Sequence, residues 1–337
     1  MSIQIKQNSN HFNFIRLFAA FLVFYGHAYI FMGTPIHTFL NHELGVFIFF
    51  SISGYLISLS WDRDPSIFRY FKRRALRIFP ALAVVVILSI FILGPIMTTW
   101  NLKDYFSSQY LWIYFKNITL YISYYLPGVF EHNTVPNAVN GSLWSLPAEF
   151  FMYILVVIFG QGKKYTKYIV ALAFIVFSSL TVLWARIDPN MLVIYGTDIR
   201  QVVITGTFFW AGAFMFHWNF KKYFTFEYFV IITLFLFFIY QWSYIYSIAS
   251  LFLIPFLVLT FGFSNAHVLL IFNKFDYSYG FYIYAFPVQQ SIIYLYPEIT
   301  PSIFLSSGFV ITMIFAALSW HYIEEPMMRF KPKKQIR

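Results

Sequence analysis

The sequence predicts an all-α protein, a polytopic bundle of about ten transmembrane helices with both termini in the cytoplasm. Three observations predict it. Sixty per cent of the 337 residues are hydrophobic and 11% are charged, whereas a soluble domain of this size carries about 25% charged residues. Ten apolar stretches succeed one another, at 14–32, 44–60, 78–98, 143–160, 167–185, 199–218, 227–242, 246–264, 276–297 and 302–322. Each approaches the ~20 residues that a bilayer crossing needs. With the N-terminus placed inside, the lysines and arginines other than Lys103, Lys116, Arg186 and Arg200 fall on the inner side, as the positive-inside rule requires. The net charge of +10 is therefore mostly topology, and no nucleic-acid partner is expected.

The leading MSIQIKQNSNHFN is polar and lacks the pattern of a cleaved signal, so the first span is expected to be retained. That span, FNFIRLFAAFLVFYGHAYIF, carries Arg16 and His27. At about 100° per residue, eleven steps return to within roughly 20°, so both side chains share one face, separated by a rise of roughly 16 Å. Ionisable groups at such depth are costly unless they face a protein interior or a cavity, which makes them functional candidates. A neutral imidazole there can serve as a general base, or it can simply hydrogen-bond a neighbouring helix. The second span contains GVFIFFSISGYLIS. Its Ser51, Ser53 and Gly54 suit close helix packing, and nothing marks a base that would make Ser53 a nucleophile.

The inner loop FRYFKRRALRIFP packs Arg69, Lys72, Arg73, Arg74 and Arg77 into nine positions, with Lys72–Arg77 read as the first turn or two of span three. Guanidinium groups bind phosphate bidentately, and a polybasic run equally suits anionic lipid heads. Residues 99–142 form one long outer segment, too aromatic for a linker and too interrupted for a span. A re-entrant or interfacial helix forming a vestibule or lid is expected there. Span four opens with NGSLWSLPAEFFMYI and places Glu149 inside the membrane, where it needs a partner such as Arg16 or His27. Ser142 and Trp144 beside it, with Glu131 and His132 of the outer segment, are the candidate acceptor-binding residues. The other histidines, His11, His37, His42, His217, His267 and His321, read as loop or interface residues. The tail 323–337 is basic, and the whole chain reads as one membrane domain.

Several chemistries are excluded. Without cysteine there is no disulfide, thiolate metal site or cysteine nucleophile. Walker, dinucleotide and HExxH signatures are missing, and no metal site is expected. The sequons at Asn117 and Asn140 are short enough to arise by chance. No internal repeat is visible.

In order along the chain, the Arg16…His27 pair, GVFIFFSISGYL, FKRRALRIFPAL, GSLWSLPAEFFMY, YSYGFYIYAFPVQQ and HYIEEPMMRF resemble the motifs of the acyltransferase-3 family of integral membrane acyltransferases. The resemblance covers residues 12–330. It implies ten core helices and transfer from a cytoplasmic acyl-CoA to a sugar hydroxyl. It implies His27 as the catalytic histidine, Arg16 with Arg73, Arg74 and Arg77 as groups binding the acyl-CoA, and Glu149 as the acidic position of its motif. Many members carry histidine where this chain has Ala285, so a catalytic duty there is ruled out. The expected protein is a bacterial inner-membrane O-acyltransferase. It would use acyl-CoA, foremost acetyl-CoA, as donor and a surface-polysaccharide or lipid-linked glycan as acceptor. From another class comes a proton-coupled transporter or flippase with Arg16, His27 and Glu149 as its relay, a reading weakened by the missing repeat.

Overall fold

The computed structural model describes residues 11–34, 42–184, 192–264 and 274–332. Lys6, His37, Arg186, His267 and residues 333–337 of the basic tail lie outside them. The long helices are α1 (Phe12–Phe31), α2 (His42–Arg63), α3 (Ile67–Leu88), α7 (Ser145–Gly160), α8 (Thr166–Trp184), α9 (Ile199–His217), α10 (Phe226–Ile239), α11 (Ser243–Gly262), α12 (Ser278–Leu295) and α13 (Pro301–Ser319). Short helices α4 (Gly94–Met97), α5 (Leu102–Ser107), α6 (Gln109–Phe115) and α14 (Glu325–Met328) lie between or after them. The described strands form only a small antiparallel hairpin, β1 (Val193–Ile194) with β2 (Thr197–Asp198).

Ten long helices thus stand where ten spans are expected, but eight rods among the described residues are long and apolar enough to cross a membrane. Helix α10 has 14 residues, or ~21 Å of rise, short of the ~30 Å hydrocarbon thickness. Helix α12 is set apart by polarity rather than length. Residues Gly280–Gln290 are all buried, Gln289 and Gln290 included. A central helix meets protein on every side, so it needs no lipid-compatible surface. The peripheral helices show the opposite pattern: Phe237 on α10 is 82% exposed, a surface suited to lipid.

Two prolines shape the rods locally. Helix α3 starts at Ile67, ahead of the apolar stretch at 78 and of the Lys72–Arg77 turns expected to open it, so the arginine cluster occupies its first three turns. It then continues through a π-turn, Ser89–Leu93, into α4 as one rod of 31 residues. The Gly94 N–H bonds the Ser89 carbonyl, and the next residue, Pro95, has no N–H for Ile90. The Tyr105 hydroxyl of α5 supplies the bond to the Ile90 carbonyl instead, at 2.8 Å. The second π-turn, Trp320–Glu324, also ends two residues before a proline, Pro326, and buries Glu324.

The outer segment, where a re-entrant or interfacial helix is expected, consists of the short helices α5 and α6, a 3₁₀ turn (Lys116–Thr119) and irregular chain leading to a second 3₁₀ turn, Gly141–Trp144. Pro287 leaves the Ile283 carbonyl of α12 without its helical donor, and the buried Asn140 amide donates to it at 2.8 Å. The Gln290 amide donates to the Val135 and Ala138 carbonyls, both at 2.7 Å. The segment is therefore fastened to the central helix by its own polar groups.

Close packing sets the middle of the bundle. At Gly54 a Cβ would collide with the Phe209 carbonyl of α9, and at Gly212 with the Ser51 carbonyl of α2. The two glycines let α2 and α9 cross backbone to backbone, the use of small residues expected in a membrane.

Candidate functional site

Two recesses enter the bundle from opposite ends of α1. The basic cavity, about 210 Å³, is bounded by the N-terminal part of α1, the middle of α2 (Val46–Ile57), the start of α3, α7 and the approach to α12. Arg16, Arg73, Arg74, Arg77 and Lys331 line it, against two carboxylates, Glu149 and Asp276. Asp64, in the turn before α3, accepts from Nε and Nη2 of Arg69 (2.6–3.2 Å) and from Arg73 at 2.7 Å. The bonds from Arg69, joined by those from Arg73, hold the Asp64 carboxyl below the usual carboxylate range despite some desolvation. Arg77 bridges Asp276 (2.7 Å) and the buried Glu324 (3.2 Å), and Arg16 lies 3.9 Å from Asp276.

Not all of that positive charge is matched. Arg74 forms no ion pair among the described residues and lies over the rings of Tyr70 and Tyr153 at 5.9 and 6.0 Å. Its Nε and that of Arg73 are buried without a partner. Lys331, in the tail beyond α14, adds an ammonium whose pKa is pushed down to about 8, first by burial and then by Arg77 and Arg74. Unpaired guanidinium donors in a net-positive recess fit a polyphosphate anion.

Glu149 reaches this cavity but not the partners expected for it. It accepts from the hydroxyls of Ser53 (2.7 Å) and Tyr153 (2.6 Å), whereas Arg16 is matched by Asp276. The physical reason is register: Glu149 sits one turn inside α7, opposite Ser53, while Asp276 occupies the turn that leads into α12 beside α1.

The histidine cavity, about 230 Å³, is lined by His27, His42, Glu43, Trp144, Asp198 and Gln201, among others, and no lysine or arginine among the described residues lines it. Phe286 of α12 meets the His27 ring edge-on at 5.2 Å and 81°, a contact that fixes the imidazole plane. Ala285, the preceding residue, is buried. Val46 and Tyr282 line both cavities, so they form the wall between them. The Tyr282 hydroxyl is hydrogen-bonded to Ser145 Oγ (2.7 Å) and the Ser142 carbonyl (2.9 Å).

The expected site residues are thus divided. Arg16, Arg73, Arg74, Arg77 and Glu149 share the basic cavity; His27 and Trp144 share the other. Ser142 lines neither, and its buried hydroxyl has no partner among the described residues. Glu131 accepts from Thr99 at 3.1 Å, His132 is exposed, and neither borders either cavity. Their stretch is held instead by Thr99 and, through the neighbouring Asn133, by Gln290 of α12. Sequence reasoning passed over Asp276, Glu324 and His42. The first two had a usable signal, since buried arginines demand carboxylates; His42 had none, because it stands at a span boundary where histidines are ordinary.

Comparison with known proteins adds to this geometry. The family described as "Acyltransferase domain" matches residues 10–321. An O-acetyl transferase of Shigella phage Sf6 is 33% identical over 341 residues, covering 97% of this chain and 99% of the relative. Nodulation protein 10 of Rhizobium leguminosarum is 32% identical over 49% of this chain and 48% of its own. Peptidoglycan O-acetyltransferase OatA of Listeria monocytogenes is 28% identical over 53% of this chain and 30% of its own. No solved structure matches. With the family's match spanning almost the whole helical bundle, the chain belongs to the acyltransferase-3 family and is a membrane O-acetyltransferase.

Proposed function

We propose that the chain transfers acetyl from cytoplasmic acetyl-CoA, held in the basic cavity, to a glycan hydroxyl presented in the histidine cavity, with His27 as general base. The observation that carries this reading is the pair of recesses of opposite character meeting at Val46 and Tyr282. The positive-inside distribution puts the basic recess on the cytoplasmic side, where acyl-CoA is made. The phosphates engage Arg74 and Lys331, with Arg16 and Arg73 nearby, and the pantetheine arm runs toward the shared wall. The acceptor oxygen attacks the thioester carbonyl as His27 takes its proton. The C–S bond then breaks, and the proton passes on to the departing thiolate, giving an acetyl ester and free CoA. Glu149, held by Ser53 and Tyr153, lies on the donor side and orients the thioester end of the arm through those hydroxyls. The acceptor is a surface polysaccharide or lipid-linked glycan, and the site of action is the bacterial inner membrane. The phage relative's name supports O-acetyl transfer, and the peptidoglycan relative's supports a glycan acceptor.

The test supplies membranes with labelled acetyl-CoA and compares wild type with His27→Ala at equal protein. Label should enter glycan with wild type and fall by about 10²–10⁴-fold in the variant, the span of a lost general base. Equal labelling would remove His27 from the chemistry. Wild type that binds acetyl-CoA no better than vesicles without the protein would favour the transporter.

A further inference from the structure

His42 stands in the same recess as His27, and its surroundings suit a substrate contact better than a helix prop. It is the first residue of α2, and Gly26 of α1 brings it there: a Cβ on Gly26 would run into the backbone and Cβ of His42. The two imidazoles lie side by side, centroids 5.4 Å apart and planes 30° from parallel. No N–H···N bond joins the two rings among the described residues, so they act in parallel and not as a relay. Nδ1 of His27 and Nδ1 of His42 are both enclosed without a hydrogen-bond partner among the described residues. A histidine that merely tied helices together would engage its nitrogens with them. Around the pair stand Glu43, Asp198, Gln201 and Trp144. Carboxylates, an amide and an indole face are a set that hydrogen-bonds and stacks on a neutral sugar, while the carboxylates repel an anionic one.

We infer that His42 is an acceptor-binding residue, and that the cavity takes a neutral sugar bearing two neighbouring hydroxyls, one aligned on His27 for acetylation and the other held by His42. The inference rests on the reading of His27 as the base, and it adds which hydroxyl is chosen and by what.

The probe is surface polysaccharide from the source cells, stripped of esters by mild base and added to membranes containing the full chain with labelled acetyl-CoA. His42→Ala should raise the acceptor KM about tenfold, the effect of one lost hydrogen bond, and leave the donor KM unchanged. The ester should scatter over more than one hydroxyl of the sugar, as read by NMR of the product, and His42→Asn should restore much of the wild-type position. An unchanged acceptor KM with a single ester position in His42→Ala would overturn the inference while His27→Ala remained inactive. So would a joint rise of both KM values with loss of thermal stability that His42→Asn does not repair, since that marks a structural role. Absence of label with wild type, or full label with His27→Ala, would overturn the reading beneath it and this inference with it.

Discussion

Arg74 and Arg77 are one helical turn apart, yet their replacement should have different effects. Arg77 neutralises Asp276 and Glu324, so Arg77→Met leaves the buried Glu324 without a cation and Asp276 with only Arg16, 3.9 Å away. Breaking a buried pair in this way costs about 3–5 kcal/mol, and the expected result is little folded protein after detergent extraction, read by size-exclusion chromatography. Arg74 has no carboxylate to abandon. Arg74→Met should leave the folded yield intact and raise the KM for acetyl-CoA by about ten- to a hundredfold, matching a charged hydrogen bond of about 1.5–3 kcal/mol. Lys331 adds a pH signature. With its pKa lowered to about 8, the ammonium is charged at pH 7 and neutral by pH 9. The phosphates of the proposed donor keep their charge over that interval, so the donor KM should rise as pH passes 8. Lys331→Gln should start from the higher KM and lose that rise, in a donor titration run from pH 6.5 to 9.5.

At the scale of elements, the crossing of α2 and α9 is the most exacting contact in the bundle. Gly54→Ala forces a methyl onto the Phe209 carbonyl, and overpacking of this kind costs about 1–3 kcal/mol. The expected outcome is a lower midpoint in a heating series followed by the fraction of protein that stays monodisperse. SISGYL was legible as a packing motif because small residues in a membrane have few other uses. The helices themselves were legible for the same reason: a lipid-facing rod must be apolar along its length, and that leaves a plain trace in sequence. The trace weakens where lipid is absent. Buried α12 carries glutamines that only its tertiary neighbours explain, and the outer segment's shape depends on Asn140 and Gln290 finding carbonyls far away in the chain. The start of α3 was misplaced because its first turns lie outside the apolar run that marks a span.

At the scale of the molecule, one helix face named Arg16 and His27 together, and that much of the candidate site was readable. Their assignment to different cavities was not, since it depends on where α2, α7 and α12 close in around α1. The partition also separated Glu149 from His27 and paired His27 with His42, which no spacing in the sequence relates. The wall at Val46 and Tyr282 has a further consequence for the cell that carries it. If the two recesses open to opposite faces, as the proposed function requires, the insulating path shortens toward the thickness of that wall and the membrane potential concentrates there. A charge crossing there exchanges about 2.3 kcal/mol per 100 mV. The Tyr282 hydroxyl, tied to Ser142 and Ser145, is then a seal as well as a lining residue. Tyr282→Ala should turn an enzyme into a slow proton leak, visible as faster collapse of an imposed pH gradient in proteoliposomes, and an unchanged gradient would show that the insulation resides elsewhere.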